Sequence, residues 1–372
     1  MLSATRLLAV SRKETIQLRR DPRSLVLAFL LPVLLLVLFA YAISWDVTDI
    51  RTVVLDQDRS ARSRALVDAF RASGYFSVRE TPAEAGEIAR LIDRGATQLA
   101  LVIPPDFAEH LDAGRPAEVQ AVVDGSDANT ATIVLGYTQA TVRSFTATAL
   151  AGGLRPAEPV RLESRIWYNE ELRSRNMIVP GLIAVIMMII AAMLTSLTIA
   201  REWERGTMEQ LVSTPVHRAE VVLGKLLPYL LIGLVDMVVA TLLGVFLFGV
   251  PFRGSPWLLL GSSTLFLIGA LGLGMFISAV TRSQLLATQV AMLATFLPAF
   301  LLSGFMYAIE VMPRPLQTVT LLIPARYFLV VTRGLFLKGV GVEVLYPQGL
   351  LMLAFAAIGV VLSVRSFRKE LQ

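Results

Sequence analysis

The chain contains no cysteine among its 372 residues, so disulfides and thiolate metal ligands are excluded. It has two histidines, His110 and His217, far apart in sequence. Neither a histidine-based metal site nor a catalytic triad is supported, and each reads as a surface residue. Charge is scarce. Charged residues make up 17% against 55% hydrophobic, and a mean hydropathy of +0.64 is too apolar for an ordinary soluble enzyme. A phosphate-binding Gly-x-x-x-x-Gly-Lys-Ser/Thr loop is missing: Gly224-Lys225 is followed by Leu226 and lacks the upstream glycine. His-Glu-x-x-His and Gly-x-Ser-x-Gly do not occur either. These absences leave no catalytic or energy-converting centre, and no internal repeat is evident. The net charge of +5 could point to nucleic acid, but its distribution points to a membrane.

What the chain does have is long apolar runs. Six runs approach or exceed the ~20 residues that a helix needs to cross the hydrocarbon core: Leu25–Ser44, Met177–Ile199, Leu226–Phe248, Leu258–Val280, Leu285–Tyr307 and Gly349–Val364, the last the shortest and open to extension at either end. Backbone groups in lipid must pair internally, so these runs are expected to be helices, with Pro32, Pro228 and Pro298 as kinks or end positions. Ala40-Tyr41-Ala42 fits a small-x-small cleavage pattern. The apolar run before it exceeds the 7–15 residues typical of a signal peptide, so retention as a first membrane helix is expected.

Basic residues set the orientation. Arg6, Arg12, Lys13, Arg19, Arg20 and Arg23 precede the first run. Arg201, Arg205, Arg218 and Lys225 occupy the connector after the second, Arg282 a later one, and Arg365, Arg368 and Lys369 follow the last. The positive-inside rule places both termini in the cytoplasm of a multi-pass protein. A seventh apolar stretch, Leu316–Leu337, is interrupted by Pro324, Arg326 and Arg333. As a full span it would put the basic C-terminus outside, so it reads as a re-entrant or interfacial element on the outer side.

Residues 46–176 differ in kind. They hold nineteen acids against fifteen bases, near −4, while the remainder is near +9. Strands at Thr52–Leu55, Phe76–Arg79, Gln98–Ile103, Glu118–Val123 and Val160–Ile166 alternate with helices at Ser60–Ser73, Pro82–Arg94, Phe107–Ala113 and about Asn129–Leu150, the pattern of an α/β domain. Ser60 is placed to cap a helix, and Gly74 and Gly95 sit where helices should stop. Long domains translocate largely regardless of charge, so an extracytoplasmic location is compatible with its arginines. Asp56, Asp58, Asp124 and Asp127 read as loop caps and turn formers rather than a metal set.

Between the second and third runs lies the charged segment Arg201–Pro215. Glu202, Glu204, Glu209 and Gln210 interleave with Trp203, Met208, Leu211 and Val212, Gly206 marks a break, and Pro215 limits helix continuation. The pattern suits a short amphipathic helix offered to a cytosolic partner; a solvated turn with incidental apolar residues fits the composition too. Asp236 is the one acid deep within a run, since Glu310 lies near an end. The sequence leaves it open as a functional carboxyl or one satisfied between packed helices.

Five stretches carry a family resemblance in order and spacing over nearly the whole chain. They are Arg20-Asp21-Pro22-Arg23-Ser24-Leu25; Trp167-Tyr168-Asn169 followed by Val179-Pro180-Gly181; the Arg201–Pro215 connector; Leu302-Ser303-Gly304-Phe305 with Met312-Pro313; and Ile323-Pro324-Ala325-Arg326-Tyr327-Phe328 with Arg333-Gly334. On these the chain resembles bacterial ABC-2 type permeases of the multidrug-efflux branch, which carry a large extracytoplasmic domain between the first two membrane helices. It departs at Ala308-Ile309-Glu310, near which many relatives carry a proline.

The resemblance implies an α-helical membrane protein of six transmembrane helices with an inserted α/β domain. Residues 1–45 would form a cytoplasmic amphipathic helix and the first span, 46–176 the extracytoplasmic domain, and 177–372 five further spans with a coupling helix at 201–215 and a re-entrant outer segment at 308–340. It also implies a non-hydrolysing permease subunit of an inner-membrane exporter for amphipathic or hydrophobic compounds. ATP and Mg would be bound by a separate ATP-binding subunit, and the permease would pair as a homodimer or with a paralogue. Arg201, Glu202, Glu204, Arg205, Gly206, Thr207, Glu209, Leu211 and Pro215 would face the ATP-binding subunit, with Leu2–Arg20 an interfacial helix lying against the membrane. Ser303, Gly304, Met312, Pro313, Pro324, Arg326 and Tyr327 would form the outer gate. The outer domain resembles those that dock periplasmic adaptor proteins. Two other readings, an ion-gradient-driven exporter and a membrane sensor with an extracytoplasmic ligand domain, fit less well: the first lacks a chain of buried acids, the second a signalling domain.

Overall fold

The computed structural model describes residues 3–43, 49–80, 85–125, 128–151 and 173–367. The chain divides into two compact units, Met1–Ser44 with Ile166–Gln372, and Trp45–Arg165. The expected strand at Val160–Ile166, the Trp167-Tyr168-Asn169 motif, Asp127 and the terminal bases Arg368 and Lys369 lie outside the described residues.

The helical unit begins with α1 (Ala4–Arg19). Next comes α2, three consecutive helical stretches, Pro22–Leu25, Val26–Leu30 and Leu31–Ala42. The middle one is a π-turn with Pro32 just past its exit, where a widened turn accommodates a residue with no N–H. At 1.5 Å per residue the run from Pro22 to Ala42 reaches about 30 Å, the thickness of a hydrocarbon core.

The α/β unit runs β1 (Ile50–Asp56), α3 (Ala61–Ala72), β2 (Phe76–Glu80), α4 (Ala85–Asp93), β3 (Leu99–Ile103), α5 (Phe107–Asp112), β4 (Gln120–Val123) and α6 (Ala128–Ala151). Its sheet has the order β2-β1-β3-β4, parallel except for β4 against β3. Ser60 caps α3 by accepting the Ser63 N–H at 3.1 Å. Gly74 and Gly95, at φ +75° and +64°, turn the chain out of α3 and α4 as no β-carbon residue does cheaply. Ile50 and Val54 of β1 pack with Leu66, Phe70, Phe107 and Val134 on one face, while Val53 and Leu55 meet Ile88 of α4 on the other. Burial on both faces is why these strands read as near-continuous apolar runs.

The helical unit resumes with α7 (Ser174–Glu204), α8 (Met208–Val212), α9 (Arg218–Leu242, extended by a π-turn at Leu243–Leu247), α10 (Pro256–Thr281) and α11 (Gln284–Leu301). The paired short helices α12 (Arg314–Thr320) and α13 (Pro324–Arg333, continued by a π-turn at Gly334–Lys338) precede α14 (Val342–Ser366). Among the described residues α7, α9, α10, α11 and α14 are long and apolar enough to cross a membrane, and α2 adds a shorter apolar helix, Ala28–Ala42. The stretch expected to be re-entrant is bent by 79° between α12 and Pro324–Lys338. The expected span Leu285–Tyr307 is shorter, because α11 stops at Leu301 and Gly304 takes φ +85°.

Burial separates these helices by role. The apolar window of α7 is 89% buried, against 22% for α11 and for α14, so α7 is the axis around which the others pack. Small residues allow the closest approaches, as expected where lipid gives helices no hydrophobic drive to associate. A β-carbon at Gly274 of α10 would strike the Ala192 carbonyl and the Thr195 hydroxyl of α7, and one at Gly272 would lie 2.8 Å from the Gly359 backbone of α14. Hydroxyls stitch the same seams: Thr195 donates to the Leu271 carbonyl at 2.8 Å and Ser363 to the Gly272 carbonyl at 2.7 Å.

Candidate functional site

The Arg201–Pro215 segment is not one helix. Arg201–Glu204 completes α7, the chain turns at Arg205-Gly206-Thr207 with Gly206 at φ +69°, and α8 follows as a short separate helix. Arg205, Gly206, Glu209, Gln210, Ser213 and Pro215 are exposed, Thr207 is half-buried and Met208 is buried beneath them. The side chain of Leu211 lies outside the described residues.

Two of the acids expected to face a partner are engaged within the chain. Glu204 accepts the backbone N–H of Gln284 at 2.7 Å and the Gln284 side-chain amide, so it caps the start of α11. The Arg282 guanidinium lies 4.5 Å from the centre of the Trp203 ring, a second tie to the same loop. Glu202 is 3% exposed and cannot reach a partner. It belongs to a buried ionic cluster that also holds Glu14 of α1 and Lys225 of α9, exposed by 4% and 1%. Lys225 Nζ lies 2.8 Å from Glu14 Oε2 and 3.0 Å from Glu202 Oε1, Lys13 Nζ donates to Glu202 Oε1 at 2.9 Å, and the Tyr229 hydroxyl donates to Glu14 Oε1 at 3.0 Å.

Two lysines against two glutamates leave this cluster neutral, the condition under which buried charges are tolerated. Removing one partner would strand a buried charge at a cost of about 3–5 kcal/mol. Arg201 pairs with Asp21 at 2.9 Å immediately beside it. Gly224 explains how α1 comes so close: a β-carbon there would lie 2.8 Å from Val10 Cβ and 2.9 Å from the Leu7 carbonyl. The helix expected to lie against the membrane surface is therefore seated on α9. Sequence reasoning counted Lys13 and Lys225 only as topology signals. The available clue was a lysine immediately preceding an apolar run, with no acid three or four residues away on its helix to match it.

The residues expected to form an outer gate lie along the loop after α11 and the bent α12–α13 segment. Ser303 is buried and its Oγ accepts the Phe305 N–H at 3.3 Å, which places the Phe305 ring against Gly181. Arg333 donates to the Gly304 carbonyl at 3.3 Å, and the Thr332 hydroxyl to the Pro180 carbonyl at 3.0 Å. The Pro180-Gly181 stretch of α7 is thus the floor on which the bent segment rests. Pro324 starts α13, Arg326 bonds the Thr320 hydroxyl, and the Tyr327 hydroxyl donates to the Leu321 carbonyl at 2.7 Å, closing the elbow. Met312 offers its carbonyl to Gln317 Nε2 at 2.8 Å, and Pro313 leads into α12 at the surface.

Asp236 lies in the middle of α9, buried, and its Oδ2 has no hydrogen-bond partner among the described residues. In the α/β unit Asp56 closes the turn after β1, accepting the N–H groups of Asp58 and Arg59 at 3.1 and 2.9 Å and the Ser63 hydroxyl at 2.7 Å. The same unit holds an apolar cavity of about 670 Å³ between Leu66, Leu101, Phe107, Val142 and Phe145.

With this geometry in place, comparison with known proteins is direct. The profile of the ABC-2 family transporter proteins matches residues 22–365. The chain is 39% identical over 360 residues to the probable multidrug ABC transporter permease YbhS of Escherichia coli strain K12, covering 96% of this chain and 95% of that protein. It is 31% identical over 345 residues to the probable multidrug ABC transporter permease YbhR of the same strain, covering 92% of each. It is also 28% identical over 327 residues to the inner membrane transport permease YhhJ, covering 86% and 85%.

Proposed function

This chain belongs to the ABC-2 family of transporter permeases, and from that premise we propose that it exports amphipathic or hydrophobic compounds through a path whose opening is driven at Arg201–Pro215. It is a multi-pass permease subunit of an inner-membrane ABC transporter, and such subunits leave ATP hydrolysis to an ATP-binding partner. The substrate class is drawn from the names of the relatives and from the apolar character of the helical unit.

The observation that carries the mechanism is the connector between α7 and α9. It offers an exposed surface, Arg205, Gly206, Glu209, Gln210 and Pro215, on a buried base anchored in three helices. A partner that shifts this surface shifts the ends of α7 and α9 with it. ATP produces a net change only by favouring one arrangement of the pair over the other. Movement of α7 reaches the far seam through Pro180-Gly181, on which the Ser303–Gly304 loop and α13 rest, and this is the proposed outer gate. Both termini lie in the cytoplasm, residues 46–176 lie outside, where an adaptor protein docks, and ATP and Mg stay with the partner. Two copies pair, or this chain pairs with a paralogue; likeness to two distinct permeases of one bacterium supports the mixed pair. The exposed leucines of α11, Leu285, Leu286, Leu293 and Leu297, face lipid or that second permease.

The test is purification of the permease with its ATP-binding subunit, followed by a screen for compounds that stimulate hydrolysis. Stimulation by lipophilic compounds that the assembly also moves supports the reading. Stimulation confined to small polar solutes contradicts the substrate class.

A further inference from the structure

The first helix makes more contacts with the connector than an interfacial helix needs. α1 reaches both ends of Arg201–Pro215. At the leading end Lys13 bonds Glu202, and Asp21, just past α1, pairs with Arg201. At the trailing end Arg6 Nη1 donates to the Pro215 carbonyl at 2.5 Å, and the Ser3 N–H donates to Glu220 Oε1 at 2.6 Å. Glu220 Oε2 in turn accepts the His217 N–H at 2.8 Å at the start of α9. Between these ends Lys225 holds Glu14 and Glu202 together in a site closed to water.

We infer that α1 is a brace: Glu14, Lys225 and Glu202 are positioning residues that lock α1, the end of α7 and the start of α9 into one body, so that displacement of the connector is delivered to both spans. This rests on Arg201–Pro215 being the coupling element. The physical reason is that the cluster cannot open by degrees. Its charges balance only when assembled, and parting any member leaves an ion without a partner in a site that water does not reach. Nor can α1 slide, because the Gly224 notch admits the Val10 side chain and the Leu7 carbonyl with no space for a β-carbon. A force on the connector therefore moves the three helices together or not at all. An interfacial helix held only by its apolar face would instead absorb the motion.

The test is amide hydrogen exchange of the full-length permease, alone and bound to its ATP-binding subunit, in nanodiscs of phosphatidylethanolamine and phosphatidylglycerol. Wild-type α1 is expected to exchange as slowly as α9. Glu14→Gln leaves the Lys225–Glu202 and Lys13–Glu202 pairs in place and removes the carboxylate that α1 places against Lys225. It is expected to speed exchange across α1 roughly tenfold or more while leaving α7 and α9 unchanged. It should also raise the ATP consumed per ethidium exported. If Glu14→Gln fails to insert, Arg6→Gln at an exposed position replaces it and is expected to loosen the first turns of α1. Unchanged α1 exchange in these variants, or a freely exchanging α1 in the wild type, overturns the brace. A loosened α1 with unaltered ATP use per ethidium overturns the transmission. A wild-type assembly that hydrolyses no ATP strikes instead at the permease reading, and exchange in the permease alone still decides the brace.

Discussion

Gly274 gives the sharpest single-atom prediction. Adding one carbon there places it against the Ala192 carbonyl and the Thr195 hydroxyl, with the Ala192 carbonyl carbon at 2.8 Å. A backbone carbonyl in the most buried helix cannot step aside, so α10 must withdraw from α7. Overpacking of this kind costs about 1–3 kcal/mol. Withdrawal also stretches the Thr195–Leu271 bond, and hydrogen bonds between membrane helices average about 0.6 kcal/mol. Gly274→Ala should therefore destabilise by roughly 2–4 kcal/mol in total. Gly261, in the same helix, has nothing within 4 Å of its would-be β-carbon, so Gly261→Ala should be neutral or gain up to about 1 kcal/mol from helix propensity. Adding Thr195→Ala to Gly274→Ala should recover part of the loss, because the hydroxyl clash disappears while the carbonyl clash remains. Unfolding of the purified permease in mixed detergent and dodecyl sulfate, followed by tryptophan fluorescence, measures all three. Equal stability of Gly274→Ala and Gly261→Ala would refute the packing described for α7 and α10.

Other consequences follow from the same geometry. Glu209→Lys places a wrong-sign charge on the exposed face of α8 and should insert normally yet lose substrate-stimulated ATP hydrolysis; full stimulation would reject this surface as the coupling contact. Glu204→Lys should in addition loosen the start of α11, seen as faster exchange at Gln284 and beyond, because it removes that helix's capping carboxylate. Asp236→Asn should retain most transport, since the amide keeps the volume of the carboxyl; abolished transport would mark it as a proton relay. A reporter active only outside the cytoplasm should be active when fused after Val123 and silent after Gln372, and an active C-terminal fusion would reject the proposed orientation.

The helical class and the α/β insertion were legible because both rest on periodicity and length. Apolar runs near 20 residues admit few structures, and Gly74 and Gly95 stop helices through backbone freedom that is local in sequence. Register inside the helical unit was not legible, since which glycine meets which carbonyl depends on helices brought together from distant parts of the chain. The break at Gly206 was legible in the connector, but the run of α7 on through Glu204 before it was not, because acids interleaved with apolar residues look the same on a short surface helix. Glu202 and Glu204 looked like surface acids for the same reason. Their partners, Lys225 and Gln284, lie 23 and 80 residues on, and Glu14 contacts Lys225 across 211 residues. No local pattern announces such pairs.

The most direct measurement of the whole account is export from inside-out membrane vesicles that carry the permease with its ATP-binding subunit, with ATP supplied and the proton gradient collapsed by an uncoupler. The permease alone should hydrolyse no ATP, and the assembly should accumulate ethidium at an undiminished rate after the gradient is gone. Accumulation that stops with the gradient while ATP remains would contradict the account.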